Sequence, residues 1–243
     1  MMKLLVHGVP DTPAMWDPLV DALQLPPSEI ECPALPGFSV PVPDGFDCSK
    51  EAYVDWLLSE VERHYKATGP VDLVGHDWGA ILVIRAACLK PDMVRSWAVA
   101  NALPERNYKW HRTARIWQTP LVGEAFMAVS NRRQIASALS QAGLPEVLAW
   151  EEARHWNKDM RQAILALYRS ARKIADTWAM ELDTLPERGM VFWGDDDPFV
   201  PVEAAIRFCE EVDIPLHRNA DTGHWSIVQR AGRFAKLLHS HWA

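Results

Sequence analysis

Residues 75–79 read Gly75-His76-Asp77-Trp78-Gly79, an aspartate framed by glycines at the spacing of a nucleophile elbow. Such an elbow is a sharp strand-to-helix turn that lifts its central side chain clear of a sheet. Glycine is needed on either side because the tight turn and the packed helix leave no room for a Cβ. A carboxylate at the centre needs no base to deprotonate it, and it suits attack on an electrophilic sp³ carbon to form an alkyl ester. That ester must then be removed by activated water. Gly223-His224-Trp225 offers an imidazole for the task, a side chain that titrates near neutral pH. A third group must orient the ring, and Gly194-Asp195-Asp196-Asp197-Pro198 presents three aspartates. Asp197 is the preferred partner and Asp196 the alternative, while solvation of a turn accounts equally well for Asp195 and Asp196.

These side chains need a frame. Val71-Asp72-Leu73-Val74, ahead of the elbow, is a short valine-rich run of the kind buried in parallel sheets. Residues 80–89 are apolar on nearly every face, which marks a core helix. Leu4-Leu5-Val6 reads as a strand stopped by His7-Gly8-Val9-Pro10. A stretch broken by six prolines, Pro26 to Pro43, surrounds a short strand near Ile30 and contains the turn Leu35-Pro36-Gly37-Phe38. Helix signals at 50–64 and strand signals at 96–100 follow. Residues 103–185 turn helical and carry Trp110, Trp117, Trp150, Trp156 and Trp178. Strand character returns at 190–193, then a helix at 202–211, a strand at 214–217 and a last helix at 226–238. Strands alternating with helices imply a mostly parallel α/β sheet flanked by helices. The helical block interrupts that alternation and reads as an inserted cap over 103–185, dividing a core of 1–102 and 186–243.

The chain resembles the α/β-hydrolase superfamily, in the aspartate-nucleophile branch that includes epoxide hydrolases and haloalkane dehalogenases. The resemblance covers nearly the whole chain. It rests on His7-Gly8-Val9-Pro10, Leu35-Pro36-Gly37-Phe38, the elbow, Gly194 to Asp197 and Gly223-His224, with nucleophile, acid and histidine in that family's chain order. It implies a catalytic set of Asp77, His224 and Asp197. It also implies an oxyanion hole made by the backbone N–H groups of Val9 and Trp78, each donor worth roughly 3–4 kcal/mol. Two departures stand out: the sheet begins at the family's third strand, and Ser39 follows Phe38 where the family often has glycine.

Epoxide and halide substrates share this machinery and differ in how the leaving group departs. An alkoxide needs a proton, which epoxide hydrolases supply from tyrosines; Tyr168 and Tyr108 in the helical block are the candidates. A halide needs N–H donors, and Trp78, Trp110 or Trp117 could serve, although Val9 stands where some dehalogenases have asparagine. Epoxide hydrolysis is the favoured expectation and halide displacement the alternative. A non-catalytic receptor built on this fold is a further alternative, opposed by a competent residue at every catalytic position. No Gly-x-Ser-x-Gly occurs, which disfavours a serine esterase. Tryptophans of the cap and Met127 are expected to line an apolar pocket. His111 and His155 read as bystanders, His76 as structural and Arg85 as paired.

The remaining composition sets limits. A formal charge of −7 and the absence of a basic run argue against a nucleic-acid partner. Four scattered cysteines form no metal-type pairing and suggest no disulfide framework. No cofactor or metal is implied. Without a signal peptide or an apolar run of membrane-spanning length, the expectation is a soluble cytoplasmic protein acting on a small hydrophobic substrate.

Overall fold

Every strand signal in the sequence becomes a strand of one parallel sheet. The computed structural model describes residues 1–104, 108–178 and 182–243. Its sheet contains β1 (Lys3–Val6), β2 (Ile30–Glu31), β3 (Val71–His76), β4 (Val94–Ala100), β5 (Gly189–Gly194) and β6 (Leu216–Asn219). They lie in the order β2-β1-β3-β4-β5-β6, each pair parallel. The helices of the sheet region are α1 (Asp17–Leu23), α2 (Lys50–Thr68), α3 (Trp78–Leu89), α10 (Val202–Val212), α11 (Ser226–Gln229) and α12 (Ala231–Trp242). Between β4 and β5 come α4 (Arg112–Gln118), α5 (Val122–Val129), α6 (Arg132–Gln141), α7 (Glu146–Arg154), α8 (Lys158–Ser170) and α9 (Ile174–Trp178).

Alternation across the pleat sorts the core onto two faces. Leu5, Val74, Ala98 and Phe192 face a cluster with α1, α11 and α12. Leu4, Val6, Leu73, Val99 and Val191 face the other way, toward α2, α3 and α10. This second cluster runs on without a break into α4, α5 and α8 through Trp117, Met127, Ile164 and Tyr168. Gly37 lets the two regions approach closely. Its φ is 88°, and a Cβ there would sit 2.9 Å from the Ala163 Cβ of α8. Arg85, unusual in the apolar α3, places its guanidinium over the Trp178 ring at 5.6 Å.

Two elements differ from their sequence signals. The last strand begins at Leu216 because Pro215 has no N–H to enter the ladder. The final helix is divided at Arg230, whose backbone (φ −125°, ψ 35°) leaves the helical region. The short piece so isolated, α11, has a separate duty: Gln229 Oε1 accepts the Gly223 N–H at 2.9 Å and ties down the turn before His224.

Strand order also determines where a ligand can sit. The chain builds outward to one side of β1 with β2 and to the other with β3 to β6. Loops leaving β1 and β3 therefore part, and a crevice opens at their carboxyl ends, the general location of ligands on open α/β sheets. No helix among the described residues is long and apolar enough to cross a membrane.

Candidate active site

Asp77 stands at that crevice, directly after β3. Its backbone adopts φ 50° and ψ −125°, a region that L residues enter only when the surroundings force them to. Packing supplies the force. A Cβ on Gly79 would lie 2.0 Å from the Val6 carbonyl oxygen, and one on Gly75 would lie 2.5 Å from that of Gly79. Helix α3 therefore begins hard against β1 and holds Asp77 upright.

The two oxygens of Asp77 have different partners. Oδ1 accepts the Val9 N–H at 2.8 Å. The Trp78 N–H, in the first turn of α3, also donates to the carboxylate, where the helix dipole favours negative charge. Oδ2 lies 3.3 Å from His224 Nε2. On the far side of the ring, His224 Nδ1 donates to Asp197 Oδ2 at 2.8 Å. Asp197 is itself fully held: Oδ1 accepts the N–H groups of Phe199 (2.7 Å) and Val200 (3.1 Å), and Oδ2 accepts Asn101 Nδ2 at 2.8 Å. Of the three neighbouring aspartates it alone meets His224. Asp195 pairs with Arg218 at 3.0 and 3.1 Å, and Asp196 is exposed. Behind the ring, His76 Nε2 donates to the His224 carbonyl at 3.0 Å, and its Nδ1 faces Asp11 at 3.4 Å, a structural arrangement.

Burial alone would lower the His224 pKa, but Asp197 and then Asp77 outweigh it, raising the value to about 10. For Asp77, burial pushes upward, yet the hydrogen bond and charge of His224 hold the carboxyl below its ordinary value. At neutral pH the resting set is thus carboxylate, imidazolium, carboxylate. Such a set can attack carbon at once, and it can act as a base only after the imidazolium has shed its proton.

A cavity of about 160 Å³ opens over Asp77 and His224, with Trp117, Phe126, Ile135 and Trp156 among its apolar walls. A second, of about 20 Å³, adjoins Asp77 between Trp78, Tyr108, Trp110 and Tyr168. Tyr168, buried on α8, lines both; Tyr108 and Trp110 reach only the smaller and Trp117 only the larger. Burial raises both phenol pKa values, with a weaker opposing hydrogen bond from Trp78 at Tyr168. The Trp117 indole Nε1 is buried without a hydrogen-bond partner.

Two expectations need correction. Met127 is buried in the core and does not line either cavity; its neighbour Phe126 does, because adjacent residues on α5 point about 100° apart. His111 is no bystander. It caps α4, its Nδ1 accepting the Ala114 N–H at 3.3 Å, and this turns the ring onto the wall of both cavities. His155 is half-buried and lines neither. Of the remaining tryptophans, Trp150 is exposed and Trp178 lies beneath Lys50 and Arg85. Sequence reasoning also missed Asn101 and Phe199. Asn101 carried one available signal, its place at the carboxyl end of β4, and its φ of 58° is one that asparagine tolerates.

Residues 4–237 match the model of the alpha/beta hydrolase family. The chain is 23% identical over 213 residues to the (E)-2-((N-methylformamido)methylene)succinate hydrolase of Acinetobacter baylyi, covering 86% of this chain and 77% of that one. It is 25% identical over 181 residues to Epoxide hydrolase 2 of Caenorhabditis elegans, covering 64% and 49%. Among solved structures, the haloalkane dehalogenase DbeA of Bradyrhizobium elkani superposes with a TM-score of 0.76 at 20% identity, over 99% of this chain and 90% of that one, a likeness of fold.

Proposed function

The chain belongs to the alpha/beta hydrolase family, and from that premise we propose a two-step hydrolase that opens small hydrophobic epoxides through an ester on Asp77. One observation carries this: Asp77 Oδ2 lies 3.3 Å from His224 Nε2, beneath an apolar cavity, while Oδ1 is held by Val9.

In the first step Oδ2 attacks a ring carbon, the C–O bond of the epoxide breaks, and the alkoxide takes a proton from Tyr168. Asp77 loses its charge on becoming an ester, so His224 loses one of the two carboxylates that raise its pKa. It gives up a proton, which restores that of Tyr168, and becomes a base. In the second step His224 removes a proton from water, whose oxygen adds to the ester carbonyl. The resulting oxyanion sits where Oδ1 sat, against the N–H groups of Val9 and Trp78, worth roughly 3–4 kcal/mol for each donor. Collapse releases the diol and regenerates carboxylate and imidazolium, so one epoxide and one water are consumed. Helices α4 to α8 serve as the lid that keeps the site dry and apolar.

Size narrows the substrate. A dry cavity on the order of 150 Å³ accommodates benzene, so about 160 Å³ suits a substrate carrying a single ring. Halide displacement is the second reading, supported by the unpartnered indole N–H of Trp117 at the cavity wall. The test incubates a His224→Phe variant with styrene oxide or 1-bromohexane and determines the mass of the peptide bearing Asp77. The whole epoxide mass is expected on Asp77; an alkyl group without bromine selects the halide reading. Wild-type turnover by Asp77→Ala sinks both.

A further inference from the structure

The two cavities meet at Asp77, His111, Tyr168 and Phe199, but only the larger touches His224. Water that hydrolyses an ester on Asp77 must approach beside the base, so the smaller cavity is not its route. At about 20 Å³ it has room for one atom of water size, for which on the order of 10–15 Å³ suffices. Displacement at carbon needs a place of this kind, beside Asp77 and away from the base, for the departing atom.

His111 supplies that place with a donor. Its ring is at the N-terminus of α4, with Nδ1 accepting from the Ala114 N–H at 3.3 Å. A ring nitrogen that accepts bears no proton, so a neutral ring has its proton on Nε2. Burial lowers the His111 pKa to about 4, and the charges nearest to it are Asp77, His224 and Asp197. The ring therefore stays neutral beside a carboxylate and an imidazolium. Its centroid lies 5.0 Å from that of Phe199 and 6.5 Å from that of Tyr168.

We infer that the smaller cavity is the subsite of the departing atom, and that His111 binds this atom through Nε2–H beside the Tyr168 hydroxyl. The inference rests on the proposed ester mechanism and names the chemistry it recognises: an acceptor gaining negative charge, alkoxide oxygen or halide. His111 gives a hydrogen bond and transfers no proton, since a neutral imidazole is too weak an acid; neutral histidine polarises oxygen in this way elsewhere. The helix cap fixes the tautomer, so the donor is in place before substrate arrives.

His111→Asn separates this role from capping. Asparagine is among the best N-caps, and its amide atoms fall where Nδ1 and Cδ2 of the ring were, with nothing at Nε2. The thermal midpoint should stay near that of the wild type. Ester formation on Asp77, followed by single-turnover quench and mass spectrometry, should slow by about 10²-fold, as on loss of one such donor, while hydrolysis of the ester is unchanged. Loss with styrene oxide alone assigns the subsite to oxygen, loss with 1-bromohexane alone to halide, and loss with both to either. Unaltered ester formation in both arms overturns the inference. Should the wild type form no ester at all, the proposed mechanism fails, and bromide titration by tryptophan fluorescence still judges His111. Affinity should fall about tenfold in His111→Asn, the order of one hydrogen bond to a charged group; equal affinity overturns the inference.

Discussion

The Val9 amide donates to Oδ1 of Asp77 over 2.8 Å, and this bond decides which carboxylate oxygen is left to react. It depends on Gly8. A Cβ at that position would fall 2.4 Å from Asp77 Cβ and 2.6 Å from Oδ1, so Gly8→Ala must push the carboxylate off the Val9 amide. Turnover by the folded fraction, measured by circular dichroism alongside initial rates, should drop by about 10²-fold, the scale of one lost oxyanion donor. Full activity in this variant would show that the bond has no catalytic part.

The base changes strength between the two steps, and one substitution imitates the change. Asp77→Asn removes a charge, as esterification does, while Asp197 still holds Nδ1. Asp197 makes the larger contribution to raising the His224 pKa and Asp77 the smaller. The titration midpoint of His224, followed by NMR, should therefore fall from about 10 in the wild type without reaching the low value that burial alone would impose. An unmoved midpoint means that Asp77 does not govern the base.

Tyr168→Phe should divide the two candidate chemistries. Buried between Trp78 and Trp117, with ring centroids at 5.4 and 4.8 Å, the ring has support that phenylalanine retains. Only the proton is lost. Ester formation from styrene oxide should slow by about 10²-fold or more, as on removal of a general acid, with a far smaller effect on 1-bromohexane. Equal losses with both substrates would count against proton donation by Tyr168.

How much of this was visible in the sequence depends on how local each cause is. The elbow was legible because both its glycines answer to contacts within one strand-turn-helix unit. Gly194 and Gly223, flagged with the acid and the histidine, turn out to touch each other's loops: a Cβ on Gly194 would lie 2.2 Å from the Gly223 carbonyl oxygen. Strands stood out as apolar runs ended by glycine or proline. The walls of the site did not. Whether Phe126 or Met127 faces the cavity depends on the angular setting of α5, and the inward turn of His111 depends on which nitrogen caps α4. Neither leaves a mark in spacing.

Asn101 belongs with these illegible residues and yields its own prediction. Its Nδ2 donates to Asp197 Oδ2 at 2.8 Å, and its Oδ1 accepts Ser226 Oγ at 2.6 Å. It is a positioning residue, acting on water activation through Asp197 and His224. Asn101→Ala should slow ester hydrolysis by about tenfold, one hydrogen bond to a charged group, and leave ester formation nearly intact, since that step needs only Asp77. Rapid-quench kinetics separates the two. Equal slowing of both steps would make Asn101 a general structural support.

Glu152 on α7 presents a stability problem apart from catalysis. It is 1% exposed, neither of its oxygens makes a well-formed hydrogen bond, and it lies near Asp11 and Thr12 of the loop after β1. Burial, followed by the charge of Asp11, raises its pKa from 4.5 to about 9. The folded chain thus keeps a proton that the unfolded chain releases above its ordinary carboxyl pKa. Stability is complete below about pH 4.5 and is lost as pH rises toward about 9, at up to about 1.4 kcal/mol per pH unit. Glu152→Gln keeps the shape and cannot ionise. Calorimetry should find this variant more thermostable than the wild type at pH 8 and the difference closing near pH 4. A difference independent of pH would mean that Glu152 is already ionised in the fold, with a partner that offsets its burial.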